Sequence, residues 1–144
     1  MHGVVRLTGP LALAGLVCFG STFGAQARTT AALVKTTRAQ ILVDQRGMTL
    51  YVFAPDKKNQ SVCYHTCAAY WPPVMVPTGT TVPTTMPGIT GKFGVTRRTD
   101  GKRQLTFDGA PLYTYAGDKK AGDMAGQGST GGGGYWWIVV APRA

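Results

Sequence analysis

The chain has 144 residues, a formal net charge of +9, and 20 Gly and 9 Pro against six acidic side chains, all of them Asp. That length leaves room for one domain with a real core and excludes two, and the Gly, Pro and Asp content with no Glu disfavours a helical fold. With two His in all, a zinc enzyme would need an unusual ligand set.

From the start, Arg6 precedes an apolar run over 11–19 and then Ala25-Gln26-Ala27. This is the pattern of a secretory signal peptide, expected at 1–27 with cleavage before Arg28. The run is too short to span a bilayer, so no transmembrane anchor is expected in the mature chain. Cys18 raises lipid anchoring, but the bulky Val17 before it argues against that processing. The product is expected to be exported, to the periplasm or the extracellular space, as a basic protein.

Residues 28–144 read as a single compact all-β domain. Short runs rich in Val, Thr, Tyr, Phe and Trp, punctuated by Gly, Pro and Asp, predict strands at 32–36, 40–44, 49–53 and 74–76. A second set is predicted at 92–97, 103–107, 111–115 and 135–140, with Thr99-Asp100-Gly101 as a hairpin turn. No segment predicts a helix. The two sets are related: GMTLYVFAPDKK at 47–58 returns as GAPLYTYAGDKK at 109–120, identical at seven of twelve positions and 62 residues apart. Trp71, Val74 and Pro77 find counterparts 65 residues on in Trp136, Val139 and Pro142. The domain is therefore expected to be two β-meander repeats, about 32–77 and 92–142, packed on each other. The Thr-, Pro- and Gly-rich stretch 78–91 is the connector.

Within the repeated segment, strand alternation puts Tyr51 and Phe53 on one face and Leu50 and Val52 on the other; Tyr113 and Tyr115 oppose Leu112 and Thr114 in the same way. Asp56 and Asp118 follow in turns, where each carboxylate can accept backbone N–H groups. Two uses stay open for these six residues. Tyr51, Phe53, Asp56, Tyr113, Tyr115 and Asp118 can be core and turn residues, or their hydroxyls and carboxylates can converge on a ligand.

Cys63 and Cys67 are the only cysteines after residue 27, and in an oxidising compartment they read first as a disulfide. Closing so short a loop stabilises by about 2 kcal/mol, so its role would be to shape the turn before Trp71. The alternative is a copper or redox centre of Cys63, His65 and Cys67, with Met48 or Met75 as a distant fourth ligand. Catalytic patterns are weak. Ser61, His65 and Asp56 lack a nucleophile elbow, an Asp56/Asp118 pair is the sole candidate for glycoside hydrolysis, and the glycine-rich 126–134 stretch has no phosphate-binding Lys-Ser/Thr after it. Arg97, Arg98, Lys102 and Arg103 flank one hairpin and form a candidate cationic patch for an anionic envelope polymer; the aromatics read as core rather than as stacking platforms, which argues against nucleic acid.

Tyr51-Val52-Phe53-Ala54-Pro55-Asp56 and Tyr113-Thr114-Tyr115-Ala116-Gly117-Asp118, together with Ser61, Cys63, Cys67, Ala68 and Trp71-Pro72-Pro73, resemble a bacterial family of secreted repeats of unknown function. That family is also described as predicted lipoproteins with a Yx(F/W/Y)xxD motif. Gly126-Gln127-Gly128 with Trp136 or Trp137 is similar to its second-half ending. The resemblance implies export and confers no activity. The expectation is a non-enzymatic binding or structural module without a cofactor, with the copper-handling and polyanion-binding adhesion readings as alternatives.

Overall fold

The computed structural model describes residues 28–29 and 34–142; the signal segment, Cys18 and the first two residues of the predicted 32–36 strand lie outside them. The elements in chain order are β1 (Arg28–Thr29), β2 (Val34–Thr36), β3 (Leu42–Asp44), β4 (Tyr51–Phe53), α1 (Thr66–Tyr70), β5 (Thr80–Thr81), β6 (Phe93–Arg97), β7 (Arg103–Phe107), β8 (Ala110–Pro111), β9 (Thr130–Gly131) and β10 (Gly134–Ile138). They make two three-stranded sheets, β4-β10-β9 and β6-β7-β8, and two pairs, β2-β3 and β1-β5. Among the described residues no helix is long and apolar enough to cross a membrane.

The β6–β7 hairpin turns where Thr99-Asp100-Gly101 predicts it, with Phe93 opposite Phe107 and Arg97 opposite Arg103. The predicted 74–76 strand is an extended segment held by single bridges, Pro73 to Tyr113 and Met75 to Gln104. Pro72 and Pro73 have no N–H to extend the ladder. One turn of helix, α1, stands where no helix was predicted. Its five residues carry no amphipathic signal; it starts at the end of the Cys63–Cys67 loop and closes through Ala69 N–H to His65 C=O and Trp71 N–H to Cys67 C=O. The connector is not a bare linker: Met86 and Ile89 are buried in the core, and Thr80–Thr81 pairs in parallel with Arg28–Thr29.

The halves pack by exchange. The strand that ends the second repeat, β10, lies antiparallel on β4 of the first, with Trp136 opposite Phe53 and Ile138 opposite Tyr51; the segment ending the first repeat, through Pro73, lies on Tyr113 of the second. Between them, Tyr51 and Tyr113 bridge each other, N–H to C=O at 2.8 and 2.9 Å. A ring of three backbone hydrogen bonds closes each half in the same way. Leu42 N–H reaches Val139 C=O, Val139 N–H reaches Leu50 C=O, and Leu50 N–H reaches Leu42 C=O; Leu105, Val74 and Leu112 repeat the ring. Each ring therefore takes one member from the other repeat.

Strand alternation then sorts side chains into two cores. Leu42, Leu50, Leu105, Leu112, Val76 and Val139 belong to an aliphatic cluster, and Tyr51, Phe53, Trp71, Tyr113 and Trp136 to an aromatic one with Cys63. Gly47 and Gly109, which open the two copies, both have left-handed φ (85° and 84°). A Cβ on either would come within 2.8 Å of Ala121 or Lys58, so both the conformation and the space demand glycine.

Candidate functional site

At the junction of the repeats lie four rings in one stack. Phe53 stacks on Trp136 (4.2 Å between centroids, 17°), Trp136 on Trp71 (3.9 Å, 2°), and Trp71 on Tyr115 (4.3 Å, 27°). The order alternates by repeat, first-second-first-second, so the stack is itself a product of the exchange. Such pairs add about 0.5–1.5 kcal/mol each beyond area burial.

The motif tyrosines and aspartates cross over in the same way. Tyr51 donates its hydroxyl to Asp118 at 2.8 Å, and Tyr113 donates to Asp56 at 2.7 Å. Each carboxylate also accepts a backbone N–H further along its own repeat: Val62 to Asp56 at 2.8 Å and Ala125 to Asp118 at 2.9 Å. Tyr51 Oη further accepts from Gly126 N–H, and Tyr113 Oη shares a hydrogen bond with Ser61 Oγ at 2.7 Å. The six residues singled out in the sequence do come together, as a buried tie between the halves: Tyr51, Phe53, Tyr113 and Asp118 are buried, and Asp56 and Tyr115 partly so.

Burial, reinforced by the hydrogen bond to Asp118, raises the Tyr51 hydroxyl well above the ordinary phenol range. Burial and Asp56 do the same for Tyr113, against a lowering contribution from Ser61. Burial also raises the Asp56 carboxyl, opposed by Val62 N–H, the Tyr113 hydroxyl and the Arg98 charge. The tyrosine contribution to stability is complete below about pH 10, where an unfolded phenol begins to ionise, and is lost as pH rises toward the folded value. Unfolding free energy is expected to fall above pH 10 by about 1.4 kcal/mol per pH unit for each tyrosine. Urea titrations between pH 9 and 11 check this: Tyr51→Phe should halve the slope, and a stability flat across that range would contradict it.

Cys63 and Cys67 are joined as a disulfide. The bond occupies both sulfurs that the sequence offered to a thiolate copper site. His65 between them is exposed with φ 52°, and Met75 is exposed on the extended segment against Gln104. Met48 is partly buried. Among the described residues no group of three or more His, Cys, Asp or Glu is gathered for a metal. Thiol titration of protein without residues 1–27 should find no free thiol before reduction and two after it; reduced cysteines carrying stoichiometric copper would overturn this assignment.

The four basic residues do not form one open patch. Arg98 is buried, donating to Ser61 Oγ (2.9 Å), Gln104 Oε1 (2.7 Å) and the Cys63 carbonyl (2.7 Å), with its guanidinium over the Tyr64 ring. Arg103 donates to the Pro77 and Thr80 carbonyls, and Arg97 to Gly101. Lys102 is exposed, and among the described residues its side chain makes no hydrogen bond or ion pair.

A groove of about 400 Å³ opens beside the ring stack, between α1 and the 129–132 loop. Tyr70, Trp71 and Tyr115 face it with Cys67, Gly131 and Gly132, and no side chain charged at neutral pH lines it. Its shape follows from a difference between the repeats. At the 65-residue offset, Cys67 and Gly132 occupy corresponding positions and meet: a Cβ on Gly132 would lie 2.8 Å from Cys67 Sγ, and Gly132 has φ 65°. The first repeat has a disulfide-closed helix there and the second bare backbone, which leaves the space open. The sequence reading missed this site. The glycine run aligned against Cys63 to Ala69 was the available signal.

A sequence model of a family described as "Secreted repeat of unknown function" matches residues 32–75 and 94–140. No curated protein and no solved structure matches the chain.

Proposed function

This chain belongs to the family of secreted repeats of unknown function, and from that premise we propose that the exported protein works in the cell envelope or outside the cell as a non-enzymatic binding module whose ligand occupies the groove beside α1. The observation that carries this reading is the division of labour between motif and groove. Both motif tyrosines and both motif aspartates are engaged with each other across the two halves, while the uncharged groove at their junction presents aromatic surface to solvent. A concave, largely apolar site between two units, with a few polar groups, is where small ligands are held. The buried ties give the site rigid walls, which lowers the ordering cost of binding.

Amide shift mapping of the oxidised protein against a mixture of neutral, cationic and anionic small compounds tests the proposal. Perturbations are expected to cluster at Tyr70, Trp71, Gly131 and Gly132. Clustering at Arg97 and Lys102 with anionic compounds would overturn it in favour of polyanion adhesion. Perturbation only after reduction, with copper present, would overturn it in favour of metal handling.

A further inference from the structure

We infer that the groove is a subsite for the ring of a neutral sugar, an assignment that rests on the reading of the groove as the binding site. The two stacked tryptophans are counterparts in the repeats, yet their indole N–H groups differ. Trp136 Nε1 donates to the Gly131 carbonyl at 2.9 Å. Trp71 lines the groove, and its Nε1 makes no hydrogen bond among the described residues and is not sealed from solvent. That nitrogen lies over the groove floor, 3.3 Å from where a Cβ on Gly131 would sit. The Trp71 N–H is therefore a donor left open at the groove, where an acceptor on a ligand can pair it.

The remaining lining narrows the class. A charged ligand would enter a site with no charge to meet it, in a chain whose groove-lining residues include no Asp, Lys, Arg or His. A purely aromatic or aliphatic ligand would leave the Trp71 N–H unpaired and desolvated. A pyranose ring answers both demands. Its C–H faces lie against Tyr115 and the exposed Tyr70. Its hydroxyls accept from the Trp71 N–H and reach the Thr66 and Thr130 hydroxyls that also line the groove. The volume, about 400 Å³, is in the lower part of the range for small-ligand sites.

The test is a titration of the oxidised protein with maltotetraose and with chitotetraose, read on the indole N–H resonances of Trp71 and Trp137, with indole and heparin as comparison probes. At least one tetrasaccharide is expected to shift the Trp71 N–H saturably and leave the exposed Trp137 unmoved. Tyr70→Ala, at an exposed position, should weaken binding by about tenfold or more, and Thr130→Ala, at an exposed lining position, should weaken it several-fold. A shift of Trp71 by indole with none from either sugar would overturn the sugar assignment and leave groove binding intact. Heparin shifts at Lys102 with no effect of any probe on Trp71 would overturn both.

Discussion

Trp136→Ala is expected to lower unfolding free energy by about 3–5 kcal/mol, measured by urea denaturation against the parent protein. Trp136 is fully buried in the middle of the four-ring stack, between Phe53 and Trp71, with Tyr113 edge-on at 5.0 Å. Its indole also fixes the Gly131 carbonyl, which sets the loop that floors the groove. Truncation removes a large transfer term and leaves a void between rings that cannot close without bending β4 and β10 together. The neighbouring position is the control. Trp137 points outward on β10, is 44% exposed and stacks only on Tyr135, so Trp137→Ala should change stability by no more than about 0.5 kcal/mol. Equal costs at the two positions would mean that the strand presents the wrong face to the core.

Arg98→Met is expected to cost about 3–5 kcal/mol. The guanidinium is 4% exposed and serves three acceptors, Ser61 Oγ, Gln104 Oε1 and the Cys63 carbonyl. Its Nε faces Asp100 at 3.7 Å without a hydrogen bond. A methionine keeps much of the volume and leaves the Gln104 Oε1 and the Cys63 carbonyl buried and unpaired, each costing about 1–3 kcal/mol, while Ser61 Oγ keeps its bonds to Tyr113 and Cys63. The loss should be local in its first effects. Amides from Cys63 to Trp71 are expected to exchange faster with solvent while those of β10 hold, because Arg98 ties the disulfide loop to β7 through Gln104. Arg98→Lys restores the charge without the planar fork and should recover only part of the stability. A cost below about 1 kcal/mol for Arg98→Met would place the guanidinium in solvent.

Much of the fold was legible because the repeat supplies two readings of each element. The alternation Leu50-Tyr51-Val52-Phe53 foretells the aliphatic and aromatic cores, since residues on opposite faces of a strand must end in different environments. The cysteine spacing foretells the disulfide. What the sequence could not show is which half each partner comes from. Tyr51 has an equivalent aspartate in each copy, Asp56 nearby and Asp118 at a separation of 67 residues, and local geometry gives no preference; the choice of Asp118 follows from β10 and β4 pairing across the repeats. Arg98 was hidden for another reason. In the RRTDGKR hairpin every cation reads as solvated, and the inward turn of one depends on Gln104, a polar residue fully buried in β7. Tyr70 and Trp71 read as core, and only the bare glycine backbone opposite Cys67 turns their edge into a groove.

The exchange of motif partners between repeats is the claim on which the rigid groove depends, and double-mutant cycles test it directly. Tyr51→Phe combined with Asp118→Asn should show a coupling of about 1–2 kcal/mol, the worth of a charge-assisted hydrogen bond with both ends buried. Tyr51→Phe combined with Asp56→Asn, which share no hydrogen bond, should be additive within about 0.5 kcal/mol. The opposite pattern, with Tyr51 coupled to Asp56 and indifferent to Asp118, would mean that each repeat satisfies its own motif and that the halves are merely adjacent.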